Sequence, residues 1–316
     1  MDCSDRRGRL YVGQAISVSR IQREQHTVSI SGLDYGLNVW DGGGETTVLL
    51  LHGYLDCGLN WSFLVDALGS FDWHVVAPDW RGHGESAWIG AGGYYHFTDY
   101  VRDLHQLVKF IGRKRVVVVG HSMGAMVAVH WLSTRPTNVI GCILAEAVGP
   151  QPLSADDYPK RLGQWLQQTA PFDPSKVQRP LRDLADASTR IARQYRSLPA
   201  DRVRQIAINT TRKRVDGQLV WKFDPLHRTT APMPGFPAIT DAYLKAIECP
   251  LFWIGGENSL FLRPELHKWL DQAQNIAKVT LSDAGHMLHT ENPLSLSIEV
   301  TRFIRSLDPS AAETRS

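Results

Sequence analysis

The stretch Val116-Val117-Val118-Val119-Gly120-His121-Ser122-Met123-Gly124-Ala125-Met126-Val127-Ala128-Val129-His130 decides how the chain folds. Four consecutive β-branched valines suit a parallel strand buried on both faces, and the small apolar residues after Gly124 suit a helix packed back on that sheet. Ser122 then sits at the apex of a tight strand-to-helix turn. Its strained backbone crowds the neighbouring chain, and glycine at 120 and 124 relieves the crowding. The turn leaves the hydroxyl exposed at the carboxyl end of the strand, the setting a nucleophile needs. A Gly-x-Ser-x-Gly lying by chance in a loop would lack this strand-turn-helix context.

A serine hydroxyl at its free pKa is a poor nucleophile, so the turn carries chemistry only with a base and an oxyanion site beside it. Upstream, Thr47-Val48-Leu49-Leu50-Leu51 reads as a second buried strand that ends in His52-Gly53-Tyr54, where Gly53 permits a tight turn. The backbone N–H of Tyr54 and that of Met123, at the start of the helix after the serine, are candidates to cradle a developing oxyanion. Downstream, Ile276-Ala277-Lys278-Val279-Thr280-Leu281 reads as the last strand, followed by Ser282-Asp283-Ala284-Gly285-His286. Glu291-Asn292-Pro293 opens a terminal helix, and His286 is the candidate base.

His52-Gly53, Asp79-Trp80-Arg81-Gly82-His83-Gly84-Glu85-Ser86, Gly120-His121-Ser122-Met123-Gly124 and Ala284-Gly285-His286 together resemble the α/β-hydrolase superfamily, in its order along the chain. The resemblance spans roughly residues 28 to 306. It implies an α/β fold with a mostly parallel, eight-stranded sheet flanked by helices, and an inserted, mainly helical cap over the serine. The superfamily hosts many chemistries, so fold alone names no substrate.

The acid of the triad departs from the superfamily's commonest pattern, an Asp after the seventh strand as Gly-x-x-Asp. The corresponding stretch is Phe252-Trp253-Ile254-Gly255-Gly256-Glu257-Asn258-Ser259-Leu260, with Ser259 at the acid position. A serine cannot stabilise an imidazolium as a carboxylate does. The strand Gly141-Cys142-Ile143-Leu144-Ala145 ends in Glu146, and some members, certain haloalkane dehalogenases among them, take their acid from the end of this sixth strand. A carboxylate in so apolar a segment needs a partner, and His286 fits. The plainer alternative is that Glu146 bonds loop amides. Glu257 is the rival acid, close to the seventh strand's end, and Asp283 is weaker because it lies too near His286 in sequence.

Other polar residues read as structural. His83 lies in a turn whose backbone Asp79, Arg81 and Ser86 can satisfy. His52 orients the oxyanion loop, His121 lines the pocket or meets the cap, and His289 is a surface or supporting residue. His52, Gly53, His121, Trp61, Trp165 and Trp221 are the candidate pocket residues, with Tyr54 and Met123 beside them.

Composition agrees. At 316 residues and 43% hydrophobic, the chain can bury a large core, and two compact regions are a reasonable expectation. The formal net charge of +2 is near neutral. Arg113-Lys114-Arg115 and Arg212-Lys213-Arg214 are too brief for a nucleic-acid footprint. Cys3, Cys57, Cys142 and Cys249 lack zinc spacing and point to no disulfide, so neither metal nor cofactor is expected. No signal-type apolar core opens the chain and no apolar run reaches membrane-spanning length, which makes a cytoplasmic location the default.

The organisation reads as a polar lead at 1–27, with a first strand near Leu10-Tyr11-Val12, then core at 28–148, a helical cap at 149–246, core again at 247–306 and a flexible tail at 307–316. A hairpin at 27–31 and 37–40, a strand at 73–77 and a helix at 100–111, with Val101, Leu104, Val108 and Ile111 towards the sheet, complete the core. Cap helices are expected at 158–169, 181–195 and 201–210, with a small hairpin turning at Asp216-Gly217. Trp165, Trp221, Phe223 and Phe236 form the cap's own core or line the pocket.

The expected chemistry is cofactor-independent serine hydrolysis of a carboxylic ester or related small acyl substrate, through Ser122, His286 and Glu146. Because dehalogenases and epoxide hydrolases of this fold use an aspartate nucleophile, Ser122 argues against both. Two alternatives stay open: carbon–carbon bond hydrolysis, perhydrolysis or lyase chemistry on the same serine and histidine, and a ligand-binding member that catalyses little. Oligomeric state leaves no signal in the sequence.

Overall fold

The valine run lies in a strand, Arg115–His121 (β5), and none of Val116, Val117, Val118 and Val119 has any solvent exposure. Side chains alternate across a strand, so the run serves two apolar layers at once. Val116 and Val118 pack in one layer with Leu49, Leu51, Cys142 and Leu144. Val117 and Val119 pack in the other with Val48, Leu50, Ile143 and Ala145. Burying a valine stabilises by about 1.5–3 kcal/mol, so β5 and its neighbours anchor the molecule.

A computed structural model describes residues 21–150, 153–170, 179–195, 197–233 and 237–308. Around β5 run Arg23–Ile30 (β1), Leu33–Asp41 (β2), Thr46–Leu51 (β3), His74–Pro78 (β4), Val139–Ala145 (β6), Leu251–Gly256 (β9) and Ile276–Leu281 (β10). They form one eight-stranded sheet in the order β1-β2-β4-β3-β5-β6-β9-β10. The pairs β1 with β2 and β2 with β4 are antiparallel, and every other pair is parallel. The carboxyl ends of β3, β5, β6 and β10 therefore meet along one edge, where an α/β sheet carries its ligand site.

Helices cover both faces. Phe97–Ile111 (α2) and Met123–Leu132 (α3) supply the layer that holds Val116, and Ser62–Leu68 (α1) with Pro293–Ser306 (α9) supply the layer that holds Val117. The buried face of α2 is Tyr100, Asp103, Leu104, Leu107 and Val108, rotated from the stripe expected at Val101 and Ile111, which are only half-buried. The cause is polar. Asp103 is drawn inward to accept from Arg81 Nε and Nη2 at 2.5 and 2.7 Å and from the Tyr35 hydroxyl.

Between β6 and β9 lie Asp157–Thr169 (α4), Leu184–Gln194 (α5), Ala200–Thr210 (α6) and a hairpin of Thr211–Lys213 (β7) with Leu219–Trp221 (β8). Leu181, Ala187, Ile191, Val203, Ile206, Ala207, Trp221 and Phe223 form a separate apolar cluster in this segment. The following helix, Pro237–Ala246 (α7), lies inside the stretch read as cap, yet it packs on α3 and on Pro264–Gln272 (α8) in the manner of a core crossover helix. At the amino end β1 begins at Arg23, within the stretch read as polar lead, because pairing with β2 satisfies its backbone. The strand expected near Leu10, Phe236 and positions 309–316 lie outside the described residues. No helix among the described residues is long and apolar enough to cross a membrane.

Candidate active site

Ser122 follows β5 with φ 52° and ψ −114°, a conformation that only surrounding structure can hold. Its N–H donates to the Ala145 carbonyl at 3.0 Å and its carbonyl accepts from Met126 N at 3.1 Å, pinning the turn to β6 on one side and to α3 on the other. The two motif glycines answer to contact. A Cβ at Gly120 would lie 2.7 Å from the Ala125 Cα, and one at Gly124 would lie 2.4 Å from the Leu51 carbonyl oxygen. The helix thus rests directly on the backbone of β3 and β5.

Glu146 follows β6 at φ 76° and is 1% exposed. Its N–H donates to the Ile254 carbonyl at 2.9 Å, which turns the side chain along the sheet edge. Oε1 accepts from Gly256 N at 2.6 Å. Oε2 accepts from the Ser259 hydroxyl and from His286 Nδ1, the latter at 2.9 Å. His286 Nε2 then stands 3.1 Å from Ser122 Oγ. With Nδ1–H given to the carboxylate, the Nε2 lone pair faces the serine hydroxyl, the tautomer a general base requires. Phe261 stacks on the imidazole at 4.1 Å between ring centres, and His121 Nε2 donates to the His286 carbonyl at 2.7 Å.

Ser259, at the superfamily's usual acid position, donates a hydrogen bond to the carboxylate that arrives from β6. Its Oγ also accepts from Phe261 N at 3.1 Å, which sets the ring stacked on His286. Glu257 and Asp283 are exposed, and neither makes a hydrogen bond or ion pair with the His286 ring, whose partners are Glu146 and Ser122.

The loop after β3 approaches the serine closely. A Cβ at Gly53 would stand 3.3 Å from the Ser122 Cβ and 2.8 Å from His121 Nδ1, so only glycine fits there. Tyr54 and Met123 both border the cavity that reaches Ser122. Met123 opens α3, so its amide is among those a helix leaves unpaired. His52 braces the loop from behind: Nδ1 donates to the Gly53 carbonyl at 2.7 Å, and Nε2 accepts from Trp80 N at 2.9 Å. Burial lowers its pKa to about 4, so it stays neutral. His83 is likewise buried and held well below its ordinary pKa by burial and by the neighbouring His227 and His52. Its Nδ1 donates to the Arg81 carbonyl and its Nε2 accepts from Leu55 N at 3.3 Å. Asp79 accepts from Gly58 N and Glu85 N, while burial raises it to about 6.

The pocket differs from the one expected. A cavity of about 510 Å³ at Ser122 is lined by Tyr54, Tyr94, Phe97, Met123, Met126 and Met233. A smaller one of about 120 Å³ continues past Glu146, Val148, Phe261, Arg263 and Trp269. His52 and His121 are buried behind the loop and the serine, and Trp61 is fully buried against His289. Trp165 lines a different cavity with Trp88 and Tyr94, and Trp221 stacks on Phe223 in the apolar cluster between β6 and β9. Local sequence carries no sign of which aromatic side chains converge from 94–97 and 226–233. His289, expected as a surface or supporting residue, is not at the surface: it has no solvent exposure and donates Nε2–H to Asp56 Oδ2 at 3.1 Å. That pairing joins positions far apart in sequence, so no spacing could have signalled it.

The chain belongs to the alpha/beta hydrolase family, whose model matches residues 48–297, and it is a hydrolase. It is 26% identical over 293 residues to a serine hydrolase-like protein of Danio rerio, covering 88% of this chain and 87% of that one. It is 26% identical over 298 residues to the sn-1-specific diacylglycerol lipase ABHD11 of the same organism, covering 91% and 88%. Among solved structures it resembles the thioesterase domain from the curacin biosynthetic pathway, with a TM-score of 0.78 at 26% identity over 89% of this chain and 99% of that one.

Proposed function

We propose that the protein is a cofactor-independent serine hydrolase that cleaves a carboxylic ester or related acyl compound of small to medium size. The observation that carries the reading is the relay from Ser122 Oγ through His286 to the buried Glu146, at 3.1 and 2.9 Å. In this mechanism His286 takes the proton as Ser122 attacks the acyl carbonyl, and Glu146 stabilises the imidazolium that forms. The amides of Tyr54 and Met123 bind the tetrahedral oxyanion, which collapses as the C–O bond breaks and His286 passes its proton to the departing alcohol, and water, activated by the same histidine, then hydrolyses the acyl-serine ester. The apolar cavity beside Ser122 suits the acyl side of such a substrate. The segment between β6 and α7 serves as the cap over it. The three similar proteins, named for serine hydrolase, lipase and thioesterase chemistry, are in keeping with acyl transfer.

Intact-mass analysis after exposure to a fluorophosphonate tests the reading, with Ser122→Ala as the comparison. One adduct on the natural protein and none on the folded variant is the expected result. No adduct on either, or the same adduct on both, would refute an activated Ser122.

A further inference from the structure

Behind the relay, on the side away from the cavity, lies a second group of polar residues that the acyl-transfer mechanism does not use. Asp56, His121 and His289 are all buried, and one donor atom from each lies within 4.8 Å of the other two. His289 gives its Nε2–H to Asp56, and His121 gives its Nε2–H to the His286 carbonyl. The remaining ring nitrogen of each histidine, Nδ1, is buried with no hydrogen-bond partner among the described residues. Leaving a buried polar atom unpaired costs free energy comparable to a lost hydrogen bond, so the His121 Nδ1 lone pair calls for a ligand, and His289 can join the same ion only through Nε2, with the ion in place of the proton it now gives to Asp56.

We propose that Asp56, His121 and His289 form a binding site for one divalent transition-metal ion of the zinc, cobalt or nickel type. Two imidazoles and one carboxylate are the donor set such ions favour over magnesium or calcium, and they leave a fourth position for water. Metal–nitrogen bonds of about 2.0–2.1 Å require the donors to draw inward by roughly an ångström. An ion has a way in. A cavity of about 130 Å³, lined by Leu55, Asp56, Tyr195, Thr210 and Met287, opens beside the carboxylate.

The site is coupled to the relay. His121 precedes Ser122 and its other nitrogen holds the His286 carbonyl at 2.7 Å, so drawing His121 towards His289 pulls the base away from the serine. Occupancy therefore inhibits. This second statement rests on the proposed function, whereas the binding itself does not.

The test is titration of chelator-treated full-length protein with Co²⁺ alone, read by calorimetry and by visible absorption. Fluorophosphonate labelling of Ser122 is followed in parallel. One Co²⁺ per chain with bands of a nitrogen- and oxygen-ligated ion is expected, with binding weaker by at least about tenfold in His289→Ala and in Asp56→Asn. Asp56→Asn keeps the shape and a hydrogen bond, so it serves where His289→Ala does not fold. Absence of binding, or equal binding in either folded variant, would overturn the site. Slower labelling of the Co²⁺-loaded protein supports the coupling, and unchanged labelling with Co²⁺ bound refutes it. Binding of Co²⁺ by a protein that the probe never labels would sink the activated-serine reading and leave the metal site standing.

Discussion

At the scale of single residues the informative position is Glu146. An isolated carboxylate with no solvent exposure would be costly, and here three donors, Gly256 N, the Ser259 hydroxyl and His286 Nδ1, share its two oxygens. Ser259 keeps the place of the usual acid and lends it a hydrogen bond. The two positions therefore act as one unit split across β6 and β9. Glu146→Gln is expected to lower acyl-ester turnover by about a thousandfold or more, since a neutral amide neither fixes the tautomer nor stabilises the imidazolium. Ser259→Ala, which removes one hydrogen bond to that carboxylate, should cost roughly tenfold. Glu257→Gln, on an exposed side chain, should leave turnover unchanged. Steady-state kinetics on all three, with folding checked by circular dichroism, decides the matter. Equal losses at 146 and 257 would remove Glu146 from the relay.

Ser122 and His286 were legible in sequence because each sits in a local pattern, a strand-turn-helix and a strand-loop-histidine, that its own neighbours generate. Glu146 was legible as an anomaly, a charge in an apolar run. The Asp56–His289 pair and the Tyr94, Met126 and Met233 walls of the cavity were not. They come from segments with no shared periodicity, brought together only when the sheet edge assembles.

Elements show the same division. The valine strand and the helix after Ser122 follow from period and residue size, and every core strand expected from sequence is present within a few residues of its predicted bounds. The face of α2 was misjudged because hydrophobic spacing alone ignores Asp103, which is buried for its bond to Arg81. Two glycines in helices make the difference between contact and propensity measurable. Gly124→Ala puts a methyl against the Leu51 carbonyl and should lower the thermal midpoint by at least about 5 °C, because backbone cannot yield as a side chain can. Gly163→Ala, in α4 with nothing within 4 Å of the added carbon, should instead stabilise by about 0.5–1 kcal/mol through helix propensity. Thermal unfolding of the two variants reads both signs, and a neutral Gly124→Ala would contradict the close approach of α3 to β3.

For the molecule as a whole, the buried histidines set the response to acid. Burial lowers His52 to about 4, His130 to about 4 and His227 to about 3, against an ordinary value of 6.5. Between pH 6.5 and about 4 the unfolded chain therefore binds protons that the native one refuses, and stability falls as pH falls. Asp79, raised by burial to about 6, works in the opposite sense over part of this range, but one carboxyl does not offset three histidines. Asp56, held at about 2, adds a further loss below pH 3.8. The unfolding midpoint should be steady above pH 7 and decline from pH 6.5 to pH 4, as calorimetry across that range would report. A midpoint that rises on acidification would mean that these imidazoles are not buried as neutral groups.

By itself the sequence determined the α/β architecture, the serine turn and the histidine that faces it. Each of these is set by local chemistry: side-chain alternation across a strand, the room glycine leaves at a crowded turn, the exposure of a loop at a strand's end. Only the tertiary structure decided which carboxylate reaches His286, which aromatic residues wall the cavity and that Asp56 meets His289. Such pairings depend on the order and register of strands in the sheet. Their free energy comes from burying polar atoms against partners distant in sequence, which no local pattern encodes.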